Sequence, residues 1–220
     1  MLAFSCVSWA GVASSRWHAQ RNGIARRSTS GARSSGLRSK RGEEQRTTVV
    51  WVDESAFYLL PLAVRTWAPR GQMPILRTRF SRDHLSVISG ITLTEQLYLE
   101  VQDHAYTAES VVIFLHHLLD QITGHVTVIW DGAPIHRSRV INQFLAEGAA
   151  KRLHLERLPG YAPDLNPDEG VWNYLKRVEL ANVCCHDLAD LTAQVQQATQ
   201  QVRAKPELLR ACSRQCGYLV

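Results

Sequence analysis

The spacing of apolar residues predicts short strands in the first half of residues 47–202. β-branched and aromatic residues form continuous or alternating runs over residues 48–52, 56–59, 85–93 and 97–101. Such runs, bounded by polar or Pro- and Gly-containing stretches, are typical of β-strands. The third and fourth runs are separated by only a few residues around Thr94 and Glu95, so we expect them to form a hairpin.

From Thr107 onward, the spacing of apolar residues predicts helices that alternate with strands. Helices are predicted over residues 107–122, 137–146, 167–180 and 188–202, and strands over 126–130 and 153–158. Thr107 and Asp187 are suited to cap the helices that follow them. A hairpin-connected part followed by alternating helices and strands predicts an α/β fold, a mixed sheet flanked by helices. This is the RNase H-like order, although element order alone does not separate it from other mixed α/β folds.

Charge divides the chain at about residue 46. Residues 1–46 hold eight Arg and one Lys against two Glu, a net charge of +7, whereas residues 47–220 carry −2 of the chain's total of +5. The first segment has no apolar period, so we expect residues 1–46 to be a basic, disordered segment and residues 47–220 to form the folded domain. A basic tail suits contact with nucleic acid, since phosphate neutralisation needs no fold.

The cysteines and the hydropathy exclude two other classes of protein. Five cysteines, two of them adjacent, make a poor disulfide framework and favour a reducing compartment. No run of 18 or more apolar residues occurs, so no membrane span is expected.

Three acidic side chains are candidates for a metal site. Asp53 and Asp131 each directly follow a predicted strand, and Glu169 lies at the start of a predicted helix. Divalent metals that assist phosphoryl transfer need a few hard carboxylate oxygens held on rigid elements. Strand ends and helix starts provide such support, so these positions favour metal-dependent phosphoryl transfer.

Each of these acids also has a purely structural explanation. Asp53 precedes two polar residues and could belong to a turn, and Asp131-Gly132 is itself a turn dipeptide. Asn166-Pro167-Asp168-Glu169 fits a helix N-cap and first turn, so that Glu169 could reach back to the Asn166 N–H in a capping box. Asp164 and Asp168 are alternatives to Glu169 as the third acid.

Four sequence blocks resemble the catalytic domain of insertion sequence 630 type transposases, within the Tc/mariner superfamily. They occur in that family's order over roughly residues 47–215: VWVDES (50–55), TWAPRGQ (66–72), WDGAPIH (130–136) and LPGYAPDLNPDEGVWNYLK (158–176). The resemblance implies an RNase H-like fold with Asp53, Asp131 and Glu169 as catalytic acids and metal ligands. The family motif places its third acid two residues after the Pro of Asn-Pro, which selects Glu169.

The resemblance also implies the reaction and its partners. We expect DNA cleavage and strand transfer at transposon ends, with two Mg²⁺ or Mn²⁺ ions, by a homodimer or larger assembly in the bacterial cytoplasm at the nucleoid. Candidate DNA-contacting or supporting residues are Arg70, His136, Asn166 and Lys176. His136 would touch a DNA phosphate or orient Asp131, and Asn166 would cap its helix.

The chain departs from the family's pattern in three places. Relatives carry an N-terminal helix-turn-helix region, whereas residues 1–46 show no such pattern, so the chain is expected to be a truncated form. Gly132 stands where Asn is more usual, and Gly160 where Pro is common. The alternative to an enzyme is a non-catalytic remnant that binds DNA or takes part in transposase assembly.

Overall fold

A computed structural model describes residues 47–78, 80–160 and 162–218. The expected disorder of residues 1–46 lies outside these described residues. The folded part contains one five-stranded sheet in the order β3-β2-β1-β4-β5. Its strands are β1 (Thr47–Tyr58), β2 (His84–Thr92), β3 (Leu97–Gln102), β4 (His125–Trp130) and β5 (Leu153–Arg157).

The sheet is mixed, as the order of elements predicts. β1 pairs antiparallel with β2, and β2 antiparallel with β3, through the predicted hairpin. β1 pairs parallel with β4, and β4 parallel with β5. The carboxyl ends of three adjacent strands, β1, β4 and β5, therefore point toward the same edge of the sheet, where ligand sites of such sheets form.

Among the described residues, five α-helices accompany the sheet: α1 (Ala108–Gln121), α2 (Arg139–Ala146), α3 (Pro167–Tyr174), α4 (Leu188–Arg203) and α5 (Pro206–Gln215). The predicted caps are confirmed, because the Thr107 side chain accepts from the Ser110 N–H and the Asp187 side chain from the Asp190 N–H. None of the helices in the described part of the chain is long and apolar enough to cross a membrane.

Two apolar cores cover the two faces of the sheet. One contains α1 and α2 side chains with Val50 and Val52 of β1, and the other contains α3, α4 and α5 side chains with Phe57. Even- and odd-numbered residues of β1 therefore face different helices, as the period of a strand requires. This alternation separates the surroundings of Asp53 from those of Glu54.

The structure corrects the predicted end of the first strand. The sequence predicts a break at Asp53, whereas β1 runs without interruption to Tyr58 because β2 pairs with each residue there, including Asp53↔Ser89 and Glu54↔Ile88. What ends near Asp53 is the parallel pairing with β4, whose last pair is Trp51↔Ile129. Asp53 thus lies inside its own strand but beyond its parallel neighbour.

Two helix predictions need adjustment at their ends. The helix predicted over residues 137–146 begins at Arg139, as α2, because Ser138 is extended and caps it; a short 3-10 turn, Pro134–Arg137, precedes it. The helix predicted over 167–180 is α-helical only to Tyr174 and continues as a π-helical turn, Leu175–Glu179. α5 is not predicted from the sequence.

Candidate metal and nucleic-acid site

Asp53 and Asp131 lie at the same level of the sheet. The parallel register pairs Val50 with Val128 and Trp51 with Ile129. Continuing it by two residues brings Asp53 level with Asp131, the first residue after β4. The two acids that the sequence places after separate apolar runs are therefore level with each other at the carboxyl edge of the parallel strands.

Asp53 is a partly buried carboxylate in an electronegative environment. Its Oδ2 accepts a hydrogen bond of 3.0 Å from the indole Nε1 of Trp172 on α3. Burial, followed by the negative charges of Glu54 and Glu169, raises the pKa of Asp53 to about 7, although the indole bond opposes the change. A bound cation would remove this repulsion and favour the charged carboxylate.

Glu169 lies exposed on the first turn of α3, close enough to Asp53 to raise its pKa. Glu169 does not form a capping box with Asn166. The Asn166 side chain accepts from the Asp168 N–H at 3.2 Å, and the Asn166 N–H donates to the carbonyl of Pro163 at 2.9 Å. Asn166 is therefore a helix cap, as predicted, and the Glu169 carboxylate is not used in capping it.

Asp131 is exposed and is held by the chain that follows it. Its Oδ1 accepts from the Ala133 N–H at 2.9 Å and lies 3.0 Å from Nδ1 of His136. The turn explanation of Asp131-Gly132 is thus correct, but the side chain that makes the turn also faces the site.

His136 links Asp131 to β1. Its Nε2 lies 2.9 Å from Oε1 of Glu54, and its ring stacks on Trp130 with centroids 4.2 Å apart. The ring is 5% exposed. Burial alone would lower the pKa of His136, but the hydrogen bond to Glu54 and the charges of Glu54 and Asp131 outweigh it and raise that pKa. Sequence reasoning missed Glu54, which no local pattern distinguishes from a surface residue.

Asp168 differs from Glu169 in facing the interior. It is fully buried, its Oδ1 accepts from the hydroxyl of Ser89 on β2, and its Oδ2 has no hydrogen-bond partner. Burial, and then the charge of Asp53, raise the pKa of Asp168 well above its ordinary value. Asp164, the other alternative, is exposed on the turn that precedes α3. Of the three acids in this stretch, Glu169 combines exposure with proximity to Asp53.

Lys176 lies beside the acids, whereas Arg70 does not. The Nζ of Lys176 donates to the hydroxyl of Ser55 at 2.7 Å and is 5.1 Å from the ring centroid of Phe57. Burial lowers the pKa of Lys176, although the charges of Glu169 and Asp53 oppose the change. Arg70 is exposed in the segment between β1 and β2, where no contact with the site acids is found.

The donor chemistry suits a hard divalent cation, although the acids are not gathered into a finished cluster. Within residues 47–78, 80–160 and 162–218, no group of three His, Cys, Asp or Glu side chains converges closely enough to hold a metal ion. Asp53 and Glu169 repel each other, and a bound divalent cation would offset this repulsion. Asp131 lies at the same edge of the sheet, and its Oδ2 makes none of the contacts described above.

The fold is that of RNase H-like catalytic domains. It resembles the catalytic domain of Mos1 mariner transposase with a TM-score of 0.54 and 14% identity over 96% of this chain and 98% of that one. The Mos1 paired end complex with Mg gives a TM-score of 0.59 and 14% identity over 100% of this chain and 68% of that one. The Mos1 strand transfer complex gives 0.55 and 15%, over 100% and 67%.

The family is shown by sequence. The family described as DDE superfamily endonuclease matches residues 48–192, which include Asp53, Asp131 and Glu169. The chain belongs to this family of endonucleases. No curated protein matches it.

Proposed function

We propose that residues 47–220 are the catalytic domain of an insertion sequence 630 type transposase that cleaves DNA at transposon ends and joins it to a target. The observation that carries the proposal is the Asp53–Glu169 carboxylate pair at the edge where Asp131 stands level with Asp53. The four sequence blocks support the particular type of transposase, and membership of the DDE superfamily endonuclease family supports the reaction class.

Asp53, Asp131 and Glu169 would hold two Mg²⁺ or Mn²⁺ ions. Structures of Mos1 transposase with Mg and with Mn support the choice of metal. Such ions supply an attacking oxygen at neutral pH and stabilise the leaving oxygen. The Trp172 indole would fix Asp53, and His136 would fix Asp131, so that both carboxylates keep their geometry when the ions bind.

The proposed reaction has two steps. Water attacks a phosphodiester at the transposon end, the P–O3′ bond breaks, and a 3′-hydroxyl is released beside a 5′-phosphate. That 3′-hydroxyl then attacks a phosphodiester of the target, forming a new P–O bond and releasing the target's own 3′-oxygen. Lys176, beside Asp53 and Glu169, and Arg70, on the exposed segment, are candidates for backbone phosphate contacts.

DNA and a second copy of the chain are the proposed partners. A Mos1 transposase paired-end complex with a transposon end supports the DNA partner by analogy. In this chain, the segment between β1 and β2 exposes large apolar side chains, including Trp67 at 100%, Met73 at 85% and Phe80 at 80%. A second copy would cover them, as apolar patches of this kind favour protein contact. Sedimentation of the wild type and of a Trp67→Ser, Phe80→Ser variant with DNA tests this partner.

The basic residues 1–46 would add affinity for DNA without specificity, and the site of action would be the bacterial nucleoid in the cytoplasm. The competing function, a non-catalytic remnant that binds DNA or a complete transposase, uses the same fold but makes no demand on Asp53, Asp131 or Glu169.

Metal-dependent nicking distinguishes the two functions. Wild type should nick a plasmid carrying the cognate ends in Mg²⁺ or Mn²⁺ but not in EDTA, and Asp131→Ala should remove the activity. Asp164→Ala is the matched control, since Asp164 is exposed and lies outside the proposed ligand set. If wild type does not nick even when a helix-turn-helix region is supplied, the enzyme proposal fails and the remnant is favoured.

A further inference from the structure

At the carboxyl edge of the sheet, the Arg157 side chain fills the space where a side chain of residue 132 would lie. A Cβ on Gly132 would overlap the Nη2, Nε and Cζ atoms of Arg157, closer than real side-chain contacts ever come. The guanidinium therefore lies directly against the backbone of Gly132. It stands where a side chain at position 132 would otherwise project.

The sheet places residue Arg157 next to the turn that carries Asp131. Arg157 is the last residue of β5 and pairs in register with Trp130, the last residue of β4. The following Leu158 N–H donates to the Trp130 carbonyl at 2.7 Å, which ties the chain after Arg157 to the same edge. Gly132 directly follows Asp131, so the guanidinium packs on the turn that carries the second candidate metal ligand.

The Arg157 guanidinium is exposed, and within the described part of the chain no acceptor is found for it. Two other arginines, Arg152 and Arg210, are by contrast committed to protein partners. Arg152 donates to the carbonyls of Leu119, Ile122 and Gly124, and Arg210 bonds Glu95 and Glu207. An exposed arginine fork that lies against the backbone at this edge and lacks an acceptor suits an external phosphate.

We infer that Arg157 binds a backbone phosphate of the DNA substrate next to Asp131, and that Gly132 is required because it leaves the space that Arg157 occupies. This inference rests on the proposed function for the identity of the substrate. It also gives the departure at position 132 a physical reason, because a larger residue there would displace the arginine.

The experiment measures affinity for a fluorescent 30-base-pair DNA duplex in EDTA as salt is varied, using the full chain. Arg157→Gln should weaken binding about tenfold and reduce the slope of log affinity against log salt by about one, the effect of one lost phosphate contact. Arg157→Lys should keep the slope while recovering part of the affinity. Arg214→Gln, at an exposed arginine on α5, is the matched control and should lower affinity less.

Gly132→Ala is the steric test. The atoms it meets are the far end of a flexible side chain, so the domain should fold while the guanidinium moves away. Gly132→Ala should weaken binding as Arg157→Gln does, and the double variant should be no weaker than Arg157→Gln alone. The inference would be overturned if Arg157→Gln bound DNA with the affinity and salt slope of the wild type. It would also be overturned if the affinity losses of Gly132→Ala and Arg157→Gln added up in the double variant.

The outcome is separable from that of the proposed function. A wild type that binds DNA but does not nick it defeats the proposed activity and leaves the binding comparison readable. A wild type that nicks, combined with an Arg157→Gln variant that binds and nicks normally, defeats only the inference about Arg157.

Discussion

The two sides of the candidate site differ in how their carboxylates are balanced. On the Trp172 side, comprising Asp53, Asp168 and Glu169, three acids crowd together and the pKa values of Asp53 and Asp168 rise. On the His136 side, comprising Glu54, Asp131 and His136, an imidazole lies between two acids at 2.9 and 3.0 Å. An imidazole thus joins the acids of the His136 side, whereas on the Trp172 side the pKa values of two acids rise although Lys176 lies nearby.

Strand geometry creates this difference. Asp53 and Glu54 are neighbours in β1, and their side chains point to opposite faces of the sheet. Asp53 reaches Trp172 on α3, whereas Glu54 reaches His136 before α2. On one face an imidazole lies between two carboxylates, whereas on the other face, under the proposed function, a bound cation would offset the repulsion between Asp53 and Glu169.

The largest expected effect is the loss of nicking when a ligand from either side is removed. Asp53→Asn, Asp131→Asn and Glu169→Gln should each reduce the rate at least about 100-fold, the scale of removing one group that stabilises the transition state. Asp168→Asn should stay within about tenfold, because Asp168 faces Ser89 in the interior. Plasmid nicking rates in Mg²⁺ measure the effects of all these variants. If Asp168→Asn were inactive while Glu169→Gln remained active, Asp168 and not Glu169 would be the third acid.

His136→Ala should break the balance of the His136 side. Asp131 and Glu54 would lose their shared partner, and support of this kind for a metal ligand is worth about 10–100-fold in metal affinity or activity. The measurement is the Mn²⁺ concentration that gives half-maximal nicking, which should rise. A lower melting temperature with an unchanged Mn²⁺ midpoint would mean that His136 only stabilises the fold. His154→Ala, at an exposed histidine, is the control.

Asp53→Asn should stabilise the metal-free protein. A folded-state pKa of about 7, above the ordinary value of 3.8, means that the folded protein binds the proton more tightly. The free energy of unfolding therefore falls as the pH rises from about 4 to about 7, by roughly 1–3 kcal/mol for a group shifted this far. Asp53→Asn should remove this contribution. Urea unfolding of the wild type and of Asp53→Asn at pH 5 and pH 8 in EDTA measures this contribution. If Asp53→Asn changed the free energy of unfolding by the same amount at both pH values, the prediction would be wrong.

Gly170→Ala should disturb the Trp172 side alone, with the smallest effect. A Cβ at Gly170 would lie 2.7 Å from the Cys212 Sγ and 3.1 Å from its Cβ, so α3 and α5 would have to separate. Overpacking of this kind costs about 1–3 kcal/mol. Thermal unfolding measures the loss, and Cys212→Ala in the same chain should restore part of it. No recovery in the double variant would point to strain elsewhere.

Apolar periodicity predicts those parts of the fold whose pattern is strong. β2, β4 and α1 are recovered because their apolar residues repeat at a strand or helix period over a whole element. The continuity of β1 is missed because Asp53-Glu54-Ser55 looks like a turn. α5 is missed because only Leu209, Cys212 and Ser213 of its residues are buried, too few to give a period.

The chemistry of the site divides in the same way. Short motifs identify Asp53, Asp131 and Glu169 as candidates, and a local rule identifies Asn166 as a cap. The partners that set their environments are far away in sequence. Trp172 is 119 residues from Asp53, Glu54 is 82 from His136, and Ser89 is 79 from Asp168. Only the folded sheet brings such pairs together, so no local pattern could predict them.

The indole bond to Asp53 gives the site an optical consequence. An indole N–H donating to a carboxylate at 3.0 Å experiences any change in the charge of that carboxylate. Trp172 is also 3% exposed, which shields its emission from changes in bulk solvent. Cation binding at Asp53 should therefore shift tryptophan fluorescence in the wild type but not in Trp172→Phe, so that metal affinity becomes readable without label, substrate or turnover.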